Sequence, residues 1–324
     1  SRGLGDVYKR QVAMNAQCDS ASVPVSSWRS ARLFVTDEFA APPVILRVDD
    51  SVIGTLGNFS ASTGKAKSKK TFNVCAIVAA AMTGGTVLNY SASLPPERRR
   101  VLYVDTEQSR FHCKRVLCRI LRLAGLPTDA HPPLLEFLCL RGYATKERLR
   151  KIEEAIYDLD DLGLVVIDGI RDLAHDINSP GEATDLITKL MQWTDERRIH
   201  IHTVLHLNKG DDNTRGHLGT ELNNKAETVL QITKDDFDRD ISSVAAMHIR
   251  DRDFEPFAFR INADALPEQV EDYKLRQTTA AKSFDYAEVC EAKHREALEL
   301  LFSEADRISY SSLIGRLQRS YAAI

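Results

Sequence analysis

The sequence predicts an α/β fold. Its central sheet is mostly parallel and flanked by helices, and a small helical segment follows at the C-terminal side. Three observations carry this. Apolar runs of strand length alternate with longer runs of helical period between residues 101 and 205. The run Gly64-Lys65-Ala66-Lys67-Ser68-Lys69-Lys70-Thr71 stands between an apolar strand-like stretch and an alanine-rich, helix-like one. The stretch Leu164-Val165-Val166-Ile167 ends in Asp168, so a buried strand delivers a carboxylate to one edge of the sheet. Strands alternating with helices require crossovers, which cover both faces of a parallel sheet.

The elements follow in order. Val52 to Phe59 is apolar and predicts a short buried strand. Phe72 to Met82 predicts a buried helix, stopped by Gly84-Gly85, because glycine takes the left-handed turn that closes a helix. Asn89 to Arg100 is polar and carries Pro95-Pro96, a connection. Val101 to Asp105 is a strand, and Ser109 to Ala124 a helix ended by Gly125 and Pro127. Leu134 to Leu140 reads as a strand. Lys146 to Asp158 reads as a helix with apolar residues at 149, 152, 155 and 156. Leu162 to Asp168 is a strand, Ala183 to Arg198 a helix, and Ile199 to Leu205 a strand. A Gly/Asp/Asn-rich loop spans Asn208 to Gly219. The strands Thr228–Thr233, Ser243–Arg250 and Phe257–Ile261 are joined by short turns, so they are antiparallel.

With 324 residues, the chain has room for one large α/β domain and a small extra one. The plan is a disordered leader over 1–30, a main domain over 31–275 and a helical segment over 283–324. Residues 1–11 (SRGLGDVYKRQ) resemble translated adapter read-through, and Met14 is one candidate start. A net charge of −3 excludes a global basic field, so nucleic acid must be met by local loops or by a channel built from several subunits. The six cysteines show no CxxC spacing and read as reduced thiols of a cytoplasmic protein. No apolar run is long enough to span a membrane. Near the end, Ile308 to Ile314 with Arg316 and Arg319 reads either as the opening of a helix-turn-helix or winged helix, or as a helical hairpin packed on the core.

The residues that carry chemistry cluster at strand ends. The run from Gly64 to Thr71 fits the phosphate-loop pattern G-x-x-x-x-G-K-[ST], with Lys69 in place of the second glycine. In such a loop the backbone N–H groups from Gly64 through Lys65, Ala66, Lys67, Ser68, Lys69, Lys70, Thr71 and Phe72 cradle phosphates. Lys70 reaches the β/γ oxygens, and the Thr71 hydroxyl sits on Mg²⁺. Lys69 either reshapes the loop or adds a phosphate contact. Asp168 has the place of the carboxylate that helps hold Mg²⁺ through water, or else caps a turn. Glu107, just past the strand 101–105, is placed to orient or deprotonate an attacking water, with Asp105 as its rival. His206 ends a strand and can relay a γ-phosphate contact into the next loop. His200, His202 and His206 alternate, but no carboxylate or cysteine completes a zinc set. Arg250 and Arg252, two apart on one strand face, suit an arginine finger across a subunit boundary, or are a solvated pair near Asp251 and Asp253.

The whole series is phosphate loop, Asp105-Thr106-Glu107, Asp168, Leu205-His206-Leu207-Asn208-Lys209, Arg215-Gly216-His217-Leu218-Gly219-Thr220 and Arg250-Asp251-Arg252. It resembles the RecA-like core of hexameric replicative helicases, including the plasmid replicative type. It is more closely similar to AAA-type ATPases of bacterial mobilizable elements, in which a lysine at the second-glycine place recurs. The resemblance covers about residues 45–275. It implies a RecA-like P-loop NTPase, ATP with Mg²⁺, assembly into a homo-oligomeric ring, and DNA as the track. By position it makes Lys70 and Thr71 the loop pair, Glu107 the catalytic glutamate, Asp168 the Mg²⁺-associated aspartate, His206 the sensor, and Arg250 and Arg252 the finger pair. Lys209 and Arg215 become backbone contacts to single-stranded DNA, sequence-independent and salt-sensitive. The expected function is an ATP-driven DNA motor, helicase or helicase-like, in replication or mobilisation of a mobile element, with a replication or mobilisation protein as partner. The alternative is a nucleotide-dependent switch or loader that unwinds nothing.

Overall fold

The computed structural model describes residues 27–207, 216–236, 238–271, 273, 291–302 and 317. The chain divides into two compact units, Ser1–Pro43 and Val44–Ile324. In the first, a 3-10 turn spans Ser27–Ala31, and the Asp37 carboxylate accepts a hydrogen bond from the Phe34 N–H at 2.8 Å.

The second unit is built on a nine-stranded sheet. Its strands, in chain order, are β3 (Phe59–Gly64), β6 (Arg100–Asp105), β7 (Leu135–Cys139), β8 (Leu162–Asp168), β9 (His200–His206), β10 (Thr228–Lys234), β11 (Ile241–Ile249), β12 (Phe257–Ile261) and β13 (Pro267–Val270). Across the sheet they lie in the order β13-β12-β11-β10-β3-β9-β8-β6-β7. The six from β10 to β7 are parallel, and β11, β12 and β13 are antiparallel. The helices are α1 (Lys70–Thr83), α2 (Arg110–Leu123), α3 (Thr145–Asp158), α4 (Pro180–Arg197), α5 (Gly216–Lys225) and α6 (Glu291–Phe302). One core layer joins α1 and α2 to one face of the sheet, and a second joins α3, α4 and α5 to the other. Strand β8 shows how the pleat feeds both layers. Leu164 and Val166 enter the first, while Leu162, Val165 and Ile167 enter the second.

A second sheet covers α1. It is four-stranded, antiparallel and ordered β2-β1-β5-β4, with β1 at Val44–Val48, β2 at Ser51–Thr55, β4 at Thr86–Val87 and β5 at Tyr90–Ala92. Ile45, Leu46, Val48 and Ile53 pack into the same layer as Val74, Ile77 and Val78 of α1. Cover on two sides explains a helix that is apolar nearly all round, with eleven of its fourteen residues buried. Tyr90 fastens the cover by donating to Asn73 Oδ1 at 2.9 Å.

Most elements lie where the sequence places them, including β8, β12 and the antiparallel end of the sheet. One expectation is corrected. Val52 to Phe59 is not one strand. It spans the end of the small sheet, a turn at Leu56-Gly57 and the first residue of β3. The strand that enters the phosphate loop is Phe59-Ser60-Ala61-Ser62-Thr63-Gly64, and all six residues are buried. Its polarity hid it, since buried hydroxyls are tolerated only with partners. The neighbouring β9 supplies them. Ser60 Oγ lies 2.7 Å from His200 Nε2 and 2.8 Å from His202 Nδ1, and Ser62 Oγ lies 2.8 Å from His202 Nε2. His200 Nδ1 reaches the Thr55 carbonyl at 2.8 Å. The loop expected over 208–219 gives way to α5 from Gly216, and β13 and the small sheet were not foreseen. Of the C-terminal segment, only α6 and residue 317 are described, so the winged-helix reading lies largely outside the described residues. So does most of the leader.

Burial pushes the His202 imidazolium down to about 3 and lowers His200 as well, against an ordinary value of 6.5. The unfolded chain therefore binds protons that the folded chain refuses. Stability is fully present above 6.5 and falls as pH drops below it, by up to about 1.4 kcal/mol per pH unit for His202, and His200 acts in the same direction. Denaturant midpoints measured from pH 7 down to pH 5 should show this slope, and His202→Asn should reduce it.

Candidate functional site

Because β3, β6, β8 and β9 run parallel, their C-terminal ends meet at one edge. Gly64 pairs with His206, Asp105 with Asp168, and Asp168 with Val204. A cavity of about 340 Å³ opens there. It is lined by the loop residues 67–72, by Glu107, Asp168 and His206, and by the first turns of α2.

The loop leaves β3 at Gly64, where any side chain would strike the Ile232 carbonyl oxygen at 2.3 Å. It re-enters α1 through Lys69, whose φ of 68° is left-handed. That is the physical demand a glycine would meet at this position, and lysine meets it with strain. The Lys69 side chain does not join the phosphate cradle. Its Nζ donates to the carbonyls of Arg239 at 3.3 Å and Asp240 at 2.5 Å in the β10–β11 turn. Of the two expectations for Lys69, this geometry matches a reshaped loop held from outside.

Lys70 is 5 % exposed, and its Nζ donates to the carbonyls of Gly64 at 2.8 Å and Lys65 at 2.9 Å. Burial lowers its ammonium to about 8, against the pull of Asp168 and Glu107. Thr71 Oγ1 and the Tyr103 hydroxyl both donate to Asp168 Oδ2, at 3.0 and 2.9 Å. Burial, reinforced by Asp105, raises the Asp168 carboxyl to about 6. A buried carboxylate beside a hydroxyl, under a lysine, is a donor set suited to a divalent cation and phosphate oxygens. Ser68 Oγ is buried without a partner at the same loop. These residues fit a nucleoside triphosphate with Mg²⁺. Lys70 and the loop amides would hold the phosphates, with Thr71 and Asp168 on the metal side.

Glu107 and Asp105 have different surroundings. Asp105 is fully buried, and its carboxylate accepts from the N–H groups of Glu107 at 3.0 Å and Gln108 at 2.7 Å, and from Gln108 Nε2 at 2.7 Å. It is consumed in holding the turn. Glu107 projects into the cavity, 3.5 Å from His206 Nε2. His206 holds its carboxyl below the ordinary range, with Lys70 and Arg171 adding to the effect against burial. His206 Nδ1 is buried and has no partner. Thr106 ties this turn to the end of β8, donating to the Gly169 carbonyl at 2.9 Å and to Asp172 Oδ2 at 3.1 Å. Gly169, at φ 103°, leaves room for that hydroxyl.

Arg250 and Arg252 do not share a strand face, since β11 ends at Ile249. Ile249 pairs with Thr228, which pairs with Ser60, so both arginines lie at the end of the sheet remote from Gly64 and line no part of the cavity. Arg250 Nη2 donates to the Lys225 carbonyl at 3.0 Å, and Arg252 is exposed. Lys209 and Arg215 lie outside the described residues. Among the described residues no group of three or more His, Cys, Asp or Glu could hold a metal by itself, so His200, His202 and His206 form no zinc set.

Sequence reasoning missed the α2 side of the cavity, namely Gln108, His112, Arg115, Val116 and Arg119. The Arg119 guanidinium lies 3.7 Å from the centre of the Phe72 ring, and its Nε donates to the Ala265 carbonyl at 3.0 Å. The usable signal was position. A helix starting five residues after Asp105 must put its first turns at the same sheet edge.

A family profile described as an AAA domain matches residues 29–212, more than half of the chain, and the chain belongs to that family. The fold is an α/β architecture, with a mostly parallel central sheet covered by helices on both faces. The crystal structure of the RadB recombinase superposes with a TM-score of 0.47 at 16 % identity, over 67 % of this chain and 92 % of that one. No curated protein matches the chain.

Lys69→Gly should leave nucleotide affinity within about threefold, because the side chain faces the β10–β11 turn, whereas Lys69→Val should weaken it by about tenfold or more, because a β-branched residue resists positive φ. Titration with a fluorescent ATP analogue reads both.

Proposed function

We propose that the chain is an ATP-hydrolysing, DNA-associated motor of the helicase type, acting in replication or mobilisation of a mobile element. The observation that carries the ATPase part is the convergence of Lys70, Thr71, Asp168, Glu107 and His206 on one cavity at the C-terminal edge of the parallel strands.

Lys70 withdraws its ammonium from the Gly64 and Lys65 carbonyls to meet phosphate oxygens. Thr71 and Asp168 would hold Mg²⁺, and the ion would supply positive charge against the charge that develops on the phosphates. Glu107 orients the attacking water and takes its proton, and Asp105 acts through Glu107 by fixing the turn. His206 meets Glu107 at the last residue of β9, so it is the sensor of an occupied site, and Lys209 and Arg215, later in the sequence, are the proposed backbone contacts to single-stranded DNA. The DNA part rests on the order of motifs. Arg250 and Arg252, remote from their own chain's cavity, fit a finger that completes the site of a neighbouring subunit in a homo-oligomeric ring.

Lys70→Ala should abolish turnover and weaken nucleotide binding. Glu107→Gln should bind ATP with Mg²⁺ as tightly as the parent but lose hydrolysis by about 10²-fold or more. Normal hydrolysis by that variant would remove Glu107 from its role. Steady-state hydrolysis with and without single-stranded DNA tests the motor. Strong stimulation supports it, and turnover indifferent to DNA favours a switch or loader. Arg252→Ala should lose turnover in the assembled protein while keeping nucleotide affinity, and an affinity loss as large as that of Lys70→Ala would refute a finger acting between subunits.

A further inference from the structure

A second groove, of about 580 Å³, lies between α2 and α3 over the edge strand β7, and two cysteines line it. Cys113 sits in the first turn of α2 and Cys139 at the end of β7. Both thiols donate to one acceptor, the Gln108 carbonyl, at 3.6 and 3.5 Å. The Cys113 thiol is pushed up by burial, with the charge of Asp105 and the neighbouring Cys139 adding to the effect. Cys139 is the more exposed of the two. Arg110, Lys114 and Lys151 line the same groove, together with Glu154 and Asp158.

We propose that Cys113 and Cys139 form a dithiol modification site that a small anionic disulfide, of the glutathione class, oxidises to an intramolecular disulfide. The Cys139 thiolate attacks one sulfur of the reagent, forming a mixed disulfide and releasing one thiol. Cys113 gives up its proton and attacks the Cys139 sulfur, closing the protein disulfide and releasing the second thiol. Two protein thiols and one small disulfide become one protein disulfide and two small thiols. The groove admits the reagent, and its cations meet the reagent's carboxylates. Cys113, the more buried thiol, makes the second attack, and because burial disfavours its thiolate, closure accelerates with rising pH.

The site is coupled to the nucleotide cavity through one residue. Gln108 offers its carbonyl to both thiols and its N–H groups to Asp105, which also holds the Glu107 N–H. Closing the disulfide removes both S–H donors from that carbonyl and draws the start of α2 toward β7. Glu107 is displaced from His206. This consequence for turnover rests on the proposed ATPase reading, whereas disulfide formation itself does not.

The full chain is incubated with glutathione disulfide, quenched with an alkylating agent, digested without reduction and mapped by mass spectrometry. The expected product is a Cys113–Cys139 peptide pair lighter by two hydrogens, together with a loss of ATP turnover of about tenfold or more that dithiothreitol restores. Cys113→Ser should trap glutathione on Cys139, and Cys139→Ser should form no bridge and keep its turnover under oxidant. Cys113→Ala serves if the serine variant fails to fold. A parent chain carrying glutathione on Cys139 with Cys113 still free overturns the proposal. So does a bridge to any other cysteine, or no modification of either thiol. A bridge that leaves turnover unchanged overturns the coupling alone. A reduced chain without turnover, yet forming the bridge, overturns the ATPase reading and leaves the dithiol site standing.

Discussion

The structure depends on one buried strand that is short of apolar side chains. After Phe59, β3 carries nothing larger than threonine, yet it lies near the middle of a nine-stranded sheet and is wholly buried. Small residues let β9 and β10 close on both sides, and let the chain turn at Gly64 against the Ile232 carbonyl. The hydroxyls that come with small size must be satisfied, and His200 and His202 satisfy Ser60 and Ser62 from the next strand. The imidazoles stay neutral because burial forbids their charge. A phosphate loop at the end of this strand is held from below by a polar ladder.

The same economy shapes the cavity. Each carboxylate at the sheet edge has a different set of donors, and the donors sort the carboxylates into roles. Asp105 is saturated by two backbone N–H groups and the Gln108 amide, so it positions the turn. Asp168 takes two hydroxyls on one oxygen and is pushed up toward about 6 by burial, which leaves its other oxygen open to the cavity's chemistry. Glu107 meets only the edge of His206 and is held ionised. Three acids within one edge are thereby kept chemically distinct.

The lysine at the second-glycine position shows how a local rule can be broken when tertiary contacts compensate. Backbone strain at φ 68° is offset by two carbonyl acceptors in the β10–β11 turn, reached because β10 pairs directly with β3. A tie from the loop to the neighbouring β10–β11 turn makes loop conformation sensitive to that turn. The neighbouring Lys70 is free of that constraint and rests on the loop's own carbonyls.

The amino-acid sequence by itself determined the alternation of strands and helices and the parallel middle and antiparallel end of the sheet, and it singled out Lys70, Thr71, Glu107 and Asp168, which the fold gathers around one cavity. Those features are local, written in hydrophobic period and in short motifs whose spacing follows the turn geometry. Only the tertiary structure decided the boundaries of β3, whose serines look like a loop until His200 and His202 are brought opposite them across 140 residues of chain. It alone decided the different surroundings of Asp105 and Glu107, the destination of the Lys69 side chain, the distance of Arg250 and Arg252 from their own cavity, and the meeting of Cys113 and Cys139 at the Gln108 carbonyl. Each of these depends on which strands are neighbours and in what register. Pairing partners far apart in the chain leave no mark on the local sequence of either.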